Sequence, residues 1–209
     1  MDTLKLADLD GIQGDILING FPKKAEIFCF FTIRAAQAFC QNIQAVASTK
    51  IATGKDIKDL REQIKKSNGT IIDVAKTNIA FTSGGLTKVC ICWAQQKAIA
   101  SWQIQLSNIQ STLQSGLNGL KSSAPSFVGG MQSESERQAL GDPVFNNWNL
   151  NQNGGGPLDG VLLVAGFNMR TVEAELKSVL GQLNVGGEVV VELFREVGFE
   201  RASQPGHEQ

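Results

Sequence analysis

The sequence predicts an α+β chain built on a ferredoxin-like βαββαβ sandwich. Two observations carry that prediction. Strongly apolar strand segments occur near both ends of the chain, and helical periodicities follow the first and the third strands. In order, the segments read strand, helix, strand, long connection, strand, helix, strand, which is the βαββαβ sequence of that sandwich.

The first strand is IFCFFTI (27–33), apolar at nearly every position. It leads into AAQAFCQNIQAVA (35–47), where Ala36, Phe39, Cys40, Ile43 and Val46 recur at helical spacing on one face. KDIKDLREQIKK (55–66) adds a second helical pattern through Ile57, Leu60 and Ile64. NIAFT (78–82) reads as a shorter strand. The stretch 86–157 is less regular: QIQLSNIQSTLQSGLNGLKSS (103–123) suits a polar helix or a loop. SESERQALGDP (133–143) suits a short helix stopped by Gly141 and Pro143, and NLNQNGGGPLDG (149–160) is loop by composition.

The third strand is VLLVAGF (161–167). NMRTVEAELKSVLG (168–181) follows as a helix with Val172, Leu176, Val179 and Leu180 on one face, Asn168 as N-cap and Gly181 as the terminating glycine. A Gly186-Gly187 break precedes the last strand, EVVVELFREVGF (188–199). Its period of two places Val189, Val191, Leu193, Val197 and Phe199 on one face, with Glu188, Glu192 and Glu196 on the other. Glutamates four apart would repel on a helix, and the β-branched run favours a strand.

In such a sandwich both helices cover one sheet face. IFCFFTI and VLLVAGF are nevertheless apolar on both faces, and strands of that kind need a second layer. No remaining segment of the chain is an evident source of that layer, so the pattern points to a second copy or a second domain.

Composition narrows the chemistry. The 209 residues are 42% hydrophobic, enough for a core, and 19 basic residues balance 20 acidic ones. No basic field exists to hold nucleic acid or an anionic membrane, and no apolar run approaches membrane-spanning length. The opening MDTLKLADLDGIQGDILING (1–20) has acids where a signal peptide needs bases, so the chain as it stands is expected in the cytoplasm.

Cys29 and Cys40 fall in apolar patterns as core thiols, Cys90 and Cys92 lack CxxC spacing, and a zinc site is not expected. The glycines at 154–156 lack a P-loop lysine and precede a strand, so a turn is expected there. Glu188, Glu192 and Glu196 read as a solvated strand face, Asp159 with Gly160 as a turn, and Trp93, Trp102 and Trp148 as packing residues. Asn68 heads a lone NGT sequon, which by itself predicts no site.

Five segments, in order, resemble the dye-decolorizing peroxidase (DyP-type haem peroxidase) family of the fungal type. They are GIQGDIL (11–17) followed by PKKAEIFCFFTI (22–33), NIAFTSGGL (78–86), FVGGMQSESERQALGDP (127–143), DGVLLVAG (159–166) and PGHEQ (205–209). The third of them keeps Gly130-Met131, Arg137 and Leu140-Gly141-Asp142-Pro143.

The resemblance implies one of two ferredoxin-like halves whose sheets pack into an α+β barrel around haem b. It implies oxidation of haem iron by hydrogen peroxide and then of dyes or phenols, with a proximal histidine on the iron and a distal aspartate in G-x-x-D-G helped by an arginine. PGHEQ precedes that segment in the family, and no G-x-x-D-G follows it here; the same spelling at GPLDG (156–160) lies before the third strand.

Residue by residue, no catalytic and no metal-ligating position carries over. The lone histidine, His207, is not the proximal one by the family pattern. The expectation is therefore a single N-terminal domain over 1–209 with a long insertion at about 86–157, lacking the C-terminal haem-binding half, inactive alone and without stably bound haem. The complete protein is open to secretion. The partner expected is the missing C-terminal half or a homodimer copy. The alternative is a non-catalytic homodimeric ferredoxin-like module that binds a ligand or a partner.

Overall fold

The computed structural model describes residues 11–14, 24–67, 73–100, 115–116, 118–119, 122–130, 133–144 and 157–200, with side chains to residue 93 in the helix that ends at 100. Four strands, β1 (Ala25–Ile33), β2 (Ala75–Phe81), β3 (Gly160–Gly166) and β4 (Val190–Phe199), form one antiparallel sheet in the order β2-β3-β1-β4. The two strands that are apolar on both faces, β1 and β3, take the two central places, where each is flanked on both sides.

Three helices supply one layer: α1 (Ala36–Thr49), α3 (Ser83–Ala100) and α6 (Met169–Leu183). Between β1 and β2 the chain also forms α2 (Gly54–Lys66), and between α3 and β3 it forms the short α4 (Pro125–Gly129) and α5 (Glu134–Leu140). Alternate residues of β1, namely Ala25, Ile27, Cys29, Phe31 and Ile33, point into this layer. They pack with Leu162 and Val164 of β3, Phe39 and Val46 of α1, and Val172, Leu176, Val179 and Leu183 of α6. Each large side chain fully buried here contributes roughly 1.5–3 kcal/mol. Phe31, Phe39 and Phe81 form a ring cluster, with Phe81 edge-on to the other two at 6.4 and 6.0 Å.

The helix after β3 follows its pattern, with one difference. Asn168 caps α6, its Oδ1 accepting from Thr171 N–H at 2.9 Å. The helix then runs past Gly181 to Leu183, because Leu183 is fully buried in the core and carries the chain one further half-turn. Asn184 ends it, and its Oδ1 accepts from the N–H groups of both Val189 and Val190 at 2.8 Å. Gly186 and Gly187 supply the positive φ that this tight turn requires (87° and 139°).

Two sequence expectations are corrected. α3 begins at Ser83 and runs into the stretch read as irregular. Its polar and apolar residues are spread round the helix rather than striped, so no helical periodicity announces it. In β4, the register against β1 shifts between Phe30 and Phe31, leaving Leu193 as the extra residue of a β-bulge. The bulge exchanges the faces. Val191 pairs with Thr32 on one side of the sheet, while Val197 and Phe199 pair with Ile27 and Ala25 on the other. The single apolar face expected from a strict period of two is therefore divided.

Among the described residues, the second sheet face is covered at one corner. Ala165 of β3 packs with Ala52 and Ile57, so α2 and the turn before it wrap the β2 edge onto that face.

Candidate functional site

Strand pairing lays the second face out in rows. One row is Phe194, Phe30, Val161 and Ala80; the next is Glu196, Phe28, Leu163 and Asn78; the third is Gly198, Glu26, Ala165 and Lys76. The first two rows are apolar at their centre, and the third carries Glu26 and Lys76. Phe28, Phe30, Val161, Leu163, Val191 and Phe194 are half-buried, whereas the opposite face of β1 and β3 is almost fully closed. The Phe30 and Phe194 rings lie 6.0 Å apart across the β1–β4 pair. A contiguous aromatic and aliphatic strip of this kind, with no described helix packed on it, is a candidate interaction surface.

At one end of the sheet sits Asp159, 1% exposed. Its Oδ2 accepts from Ile33 N–H at 2.7 Å, from Thr32 Oγ1 at 3.1 Å and from Lys88 Nζ at 2.6 Å. Its backbone N–H donates to Phe31 O, and its carbonyl accepts from Thr82 N–H, both at 3.0 Å. One residue thus ties the end of β1, the end of β2, the start of β3 and α3 together. Lys88 neutralises the buried carboxylate from α3, and its own side chain is 36% exposed. Gly85, one turn earlier, passes so close to the Asp159 carbonyl that a Cβ there would overlap it. The sequence predicts a turn role for Asp159; in the structure its bonds to Ile33, Thr32 and Lys88 make it an anchor as well.

The segments that carried the family resemblance are structural clamps where they are described. Gln13 and Asn78 fasten the 11–14 segment to the β2 edge: Asn78 Nδ2 donates to Gly14 O at 2.6 Å, and Gly14 N–H donates to Ala52 O at 2.8 Å. Gly14 lies against Ile57, leaving no room for a side chain. Arg137, 9% exposed, donates to Pro143 O at 3.3 Å and pairs with Glu134, bracing α5 and the turn at Gly141, which is left-handed at φ 72°. His207, Trp102, Trp148, Asn68, the glycines at 154–156 and the PGHEQ segment lie outside the described residues.

Burial, the neighbouring Glu192 carboxylate and its hydrogen bond push the Cys29 thiol up to about 12. Burial and the neighbouring Cys92 thiol do the same to Cys40, also to about 12. Both are protonated at neutral pH, the ordinary state of buried core thiols. Among the described residues no group of three or more His, Cys, Asp or Glu could hold a metal ion. Glu192 is engaged by Arg195 through two hydrogen bonds, at 2.8 and 2.7 Å, and the bulge sets it on the opposite sheet face from Glu196, so the single glutamate face expected from the sequence is divided. Among the described residues no helix is long and apolar enough to cross a membrane.

Residues 11–198 match the family model described as the DyP dimeric alpha+beta barrel domain. No curated protein matches the chain. Among solved structures, an ancestral D-type dye decolorizing peroxidase is 26% identical with a TM-score of 0.67, over 97% of this chain and 36% of that one. The Anabaena sp. DyP-type peroxidase is 20% identical with a TM-score of 0.67, over 93% of this chain and 35% of that one. A point variant of the dye-decolorizing peroxidase from Pleurotus ostreatus is 23% identical with a TM-score of 0.67, over 96% of this chain and 37% of that one. The chain therefore spans little more than a third of the length of the structures it matches.

Proposed function

This chain belongs to the DyP-type dye-decolorizing peroxidase family through its DyP dimeric alpha+beta barrel domain, and from that premise we propose that it is the N-terminal ferredoxin-like half of a haem-dependent peroxidase of the fungal type. The observation that carries this reading is the half-buried strip of Phe28, Phe30, Val161, Leu163 and Phe194 on a sheet face that, among the described residues, α2 covers at one corner. A second ferredoxin-like sheet packed there would close the barrel and bury it.

In the complete protein, haem b would supply the two-electron reduction of hydrogen peroxide and the oxidation of dyes or phenols. The residues of this chain have a scaffolding role in that reading. The Asp159–Lys88 anchor and the Gln13 and Asn78 clamp hold the sheet in the shape that the second half meets. No axial ligand and no distal acid–base group is assigned to this chain, because no position of it matches those residues of the family pattern. The domain spans 1–209 with the insertion at about 86–157, and alone it neither holds haem stably nor turns over peroxide.

A second reading is favoured by the dimeric barrel that names the matched domain. In it, a second copy of this chain covers the same strip, and the protein is a non-catalytic binding or interaction module. Sedimentation velocity over a range of concentrations separates the outcomes. Open-ended association supports a half that lacks its second sheet. A single stable dimer supports the homodimer. A monodisperse monomer at the highest concentration contradicts both, because the strip would then need no cover.

A further inference from the structure

We propose that α2 and the 11–14 segment form a latched cover on the β2 edge, which opens as one unit while the sheet and its helix layer stay folded, and that Gln13 is the latch. The main core draws side chains from α1 and α6, and α2 contributes none to it. Among the described residues, the apolar contact of α2 with the sheet is the small separate cluster of Ala52, Ile57 and Ala165. No strand or other helix packs broadly on α2. An element with so little buried apolar contact opens at a lower free energy than the core strands.

A few directional bonds fasten this cover. Gly54 N–H donates to Ile12 O at 2.9 Å and Gly14 N–H to Ala52 O at 2.8 Å, which join the 11–14 segment to the start of α2. Toward β2, Ala52 N–H donates to Thr77 O at 2.9 Å and Asn78 Nδ2 to Gly14 O at 2.6 Å. Gln13 holds both backbone groups of Ile79, at 2.8 and 3.0 Å, and so supplies more of these bonds to β2 than any other residue. Opening bares the outward backbone groups of Thr77 and Ile79 together, and an open strand edge is a template for pairing with another chain. The latch keeps that edge closed in the folded protein. Once detached, α2 is a helix of 13 residues, too short to hold in water on its own, so opening exposes its amides to exchange.

The test is native-state hydrogen exchange, followed by NMR on the full 209-residue chain over a range of urea concentrations below the unfolding transition. In the wild type, the amides of α2 and the Ile79 N–H are expected to exchange about tenfold or more faster, relative to their intrinsic rates, than those of β1 and β3. Their dependence on urea is expected to be shallower, because local opening exposes less surface than global unfolding. Gln13→Ala should speed the exchange of α2 about tenfold or more. Val179→Ala, in the main core and outside the α2 cluster, should speed β1 and β3 and leave α2 unchanged. If Val179→Ala does not fold, the urea dependence of the wild type decides alone. An α2 that exchanges with the rate and urea dependence of β1, that follows Val179→Ala, or that ignores Gln13→Ala would overturn the proposal.

Discussion

The side-chain amide of Gln13 takes the place of a neighbouring strand for Ile79. Its Oε1 accepts from Ile79 N–H at 2.8 Å and its Nε2 donates to Ile79 O at 3.0 Å, so both backbone groups at the middle of the exposed β2 edge are satisfied by one side chain. An edge left open is a template for unwanted pairing, and this clamp closes it without adding a strand.

Gln13→Ala should therefore lower stability by about 2 kcal/mol, from two hydrogen bonds of about 1 kcal/mol each. Urea unfolding checks this. A lower midpoint with an unchanged slope is expected, because the loss is local and leaves the compactness of the unfolded chain alone.

Removing the Asp159 carboxylate should cost more. Asp159→Ala leaves the Ile33 N–H, the Thr32 hydroxyl and the Lys88 ammonium without their common acceptor, a loss of about 3 kcal/mol. Lys88→Met should cost only about 1 kcal/mol, since two donors to the carboxylate remain and the lysine is itself partly exposed. Thermal unfolding of the two variants side by side gives the ordering, and equal losses would contradict the anchor.

How much of this was legible in the sequence depends on how local the cause is. The central strands, α1, α6 and the Asn168 cap follow from side-chain periodicity and one capping residue, and all of them stand where the pattern put them. The bulge at Leu193 was not legible, because it is set by pairing with β1 and not by the β4 sequence. α3 was invisible because its polar and apolar residues form no stripe to detect. Leu183 overrode Gly181 as the end of α6 through burial that only the tertiary structure shows. The apolar character of the second sheet face was legible from double-sided apolar strands. The role of Asp159 was not, since its partners lie 71 to 127 residues away.

The α2 N-terminus should be sensitive to acid. Asp56 is partly desolvated, which raises its carboxyl. The Thr53 N–H and hydroxyl, with Lys76 and Lys55, outweigh that and leave it below its ordinary value. Its folded value is thus lower than its unfolded one of about 3.9, so its contribution is complete above that pH and fades as pH falls through the folded value. Asp56→Asn should be less stable than wild type by about 1 kcal/mol at pH 7, with the gap closing toward pH 2. Denaturant curves at the two pH values measure it.

The strip on the second face makes a separate prediction. Phe30→Asp with Phe194→Asp places two charges in its centre, where the rings now touch. Self-association of the chain should fall at least tenfold in apparent affinity, about 1.4 kcal/mol, while far-ultraviolet circular dichroism keeps its α+β shape. Retained association would place the contact elsewhere, such as around exposed Trp93 and Phe127.

The central claim is that this chain supplies the scaffold of a peroxidase and not its reacting groups. The most direct measurement is to offer haem b and hydrogen peroxide to the purified chain and follow the bleaching of an oxidisable dye against free haem at the same concentration. The account predicts a rate equal to that of free haem. A rate well above it would place an iron ligand and an acid–base group among these 209 residues, and would contradict the account.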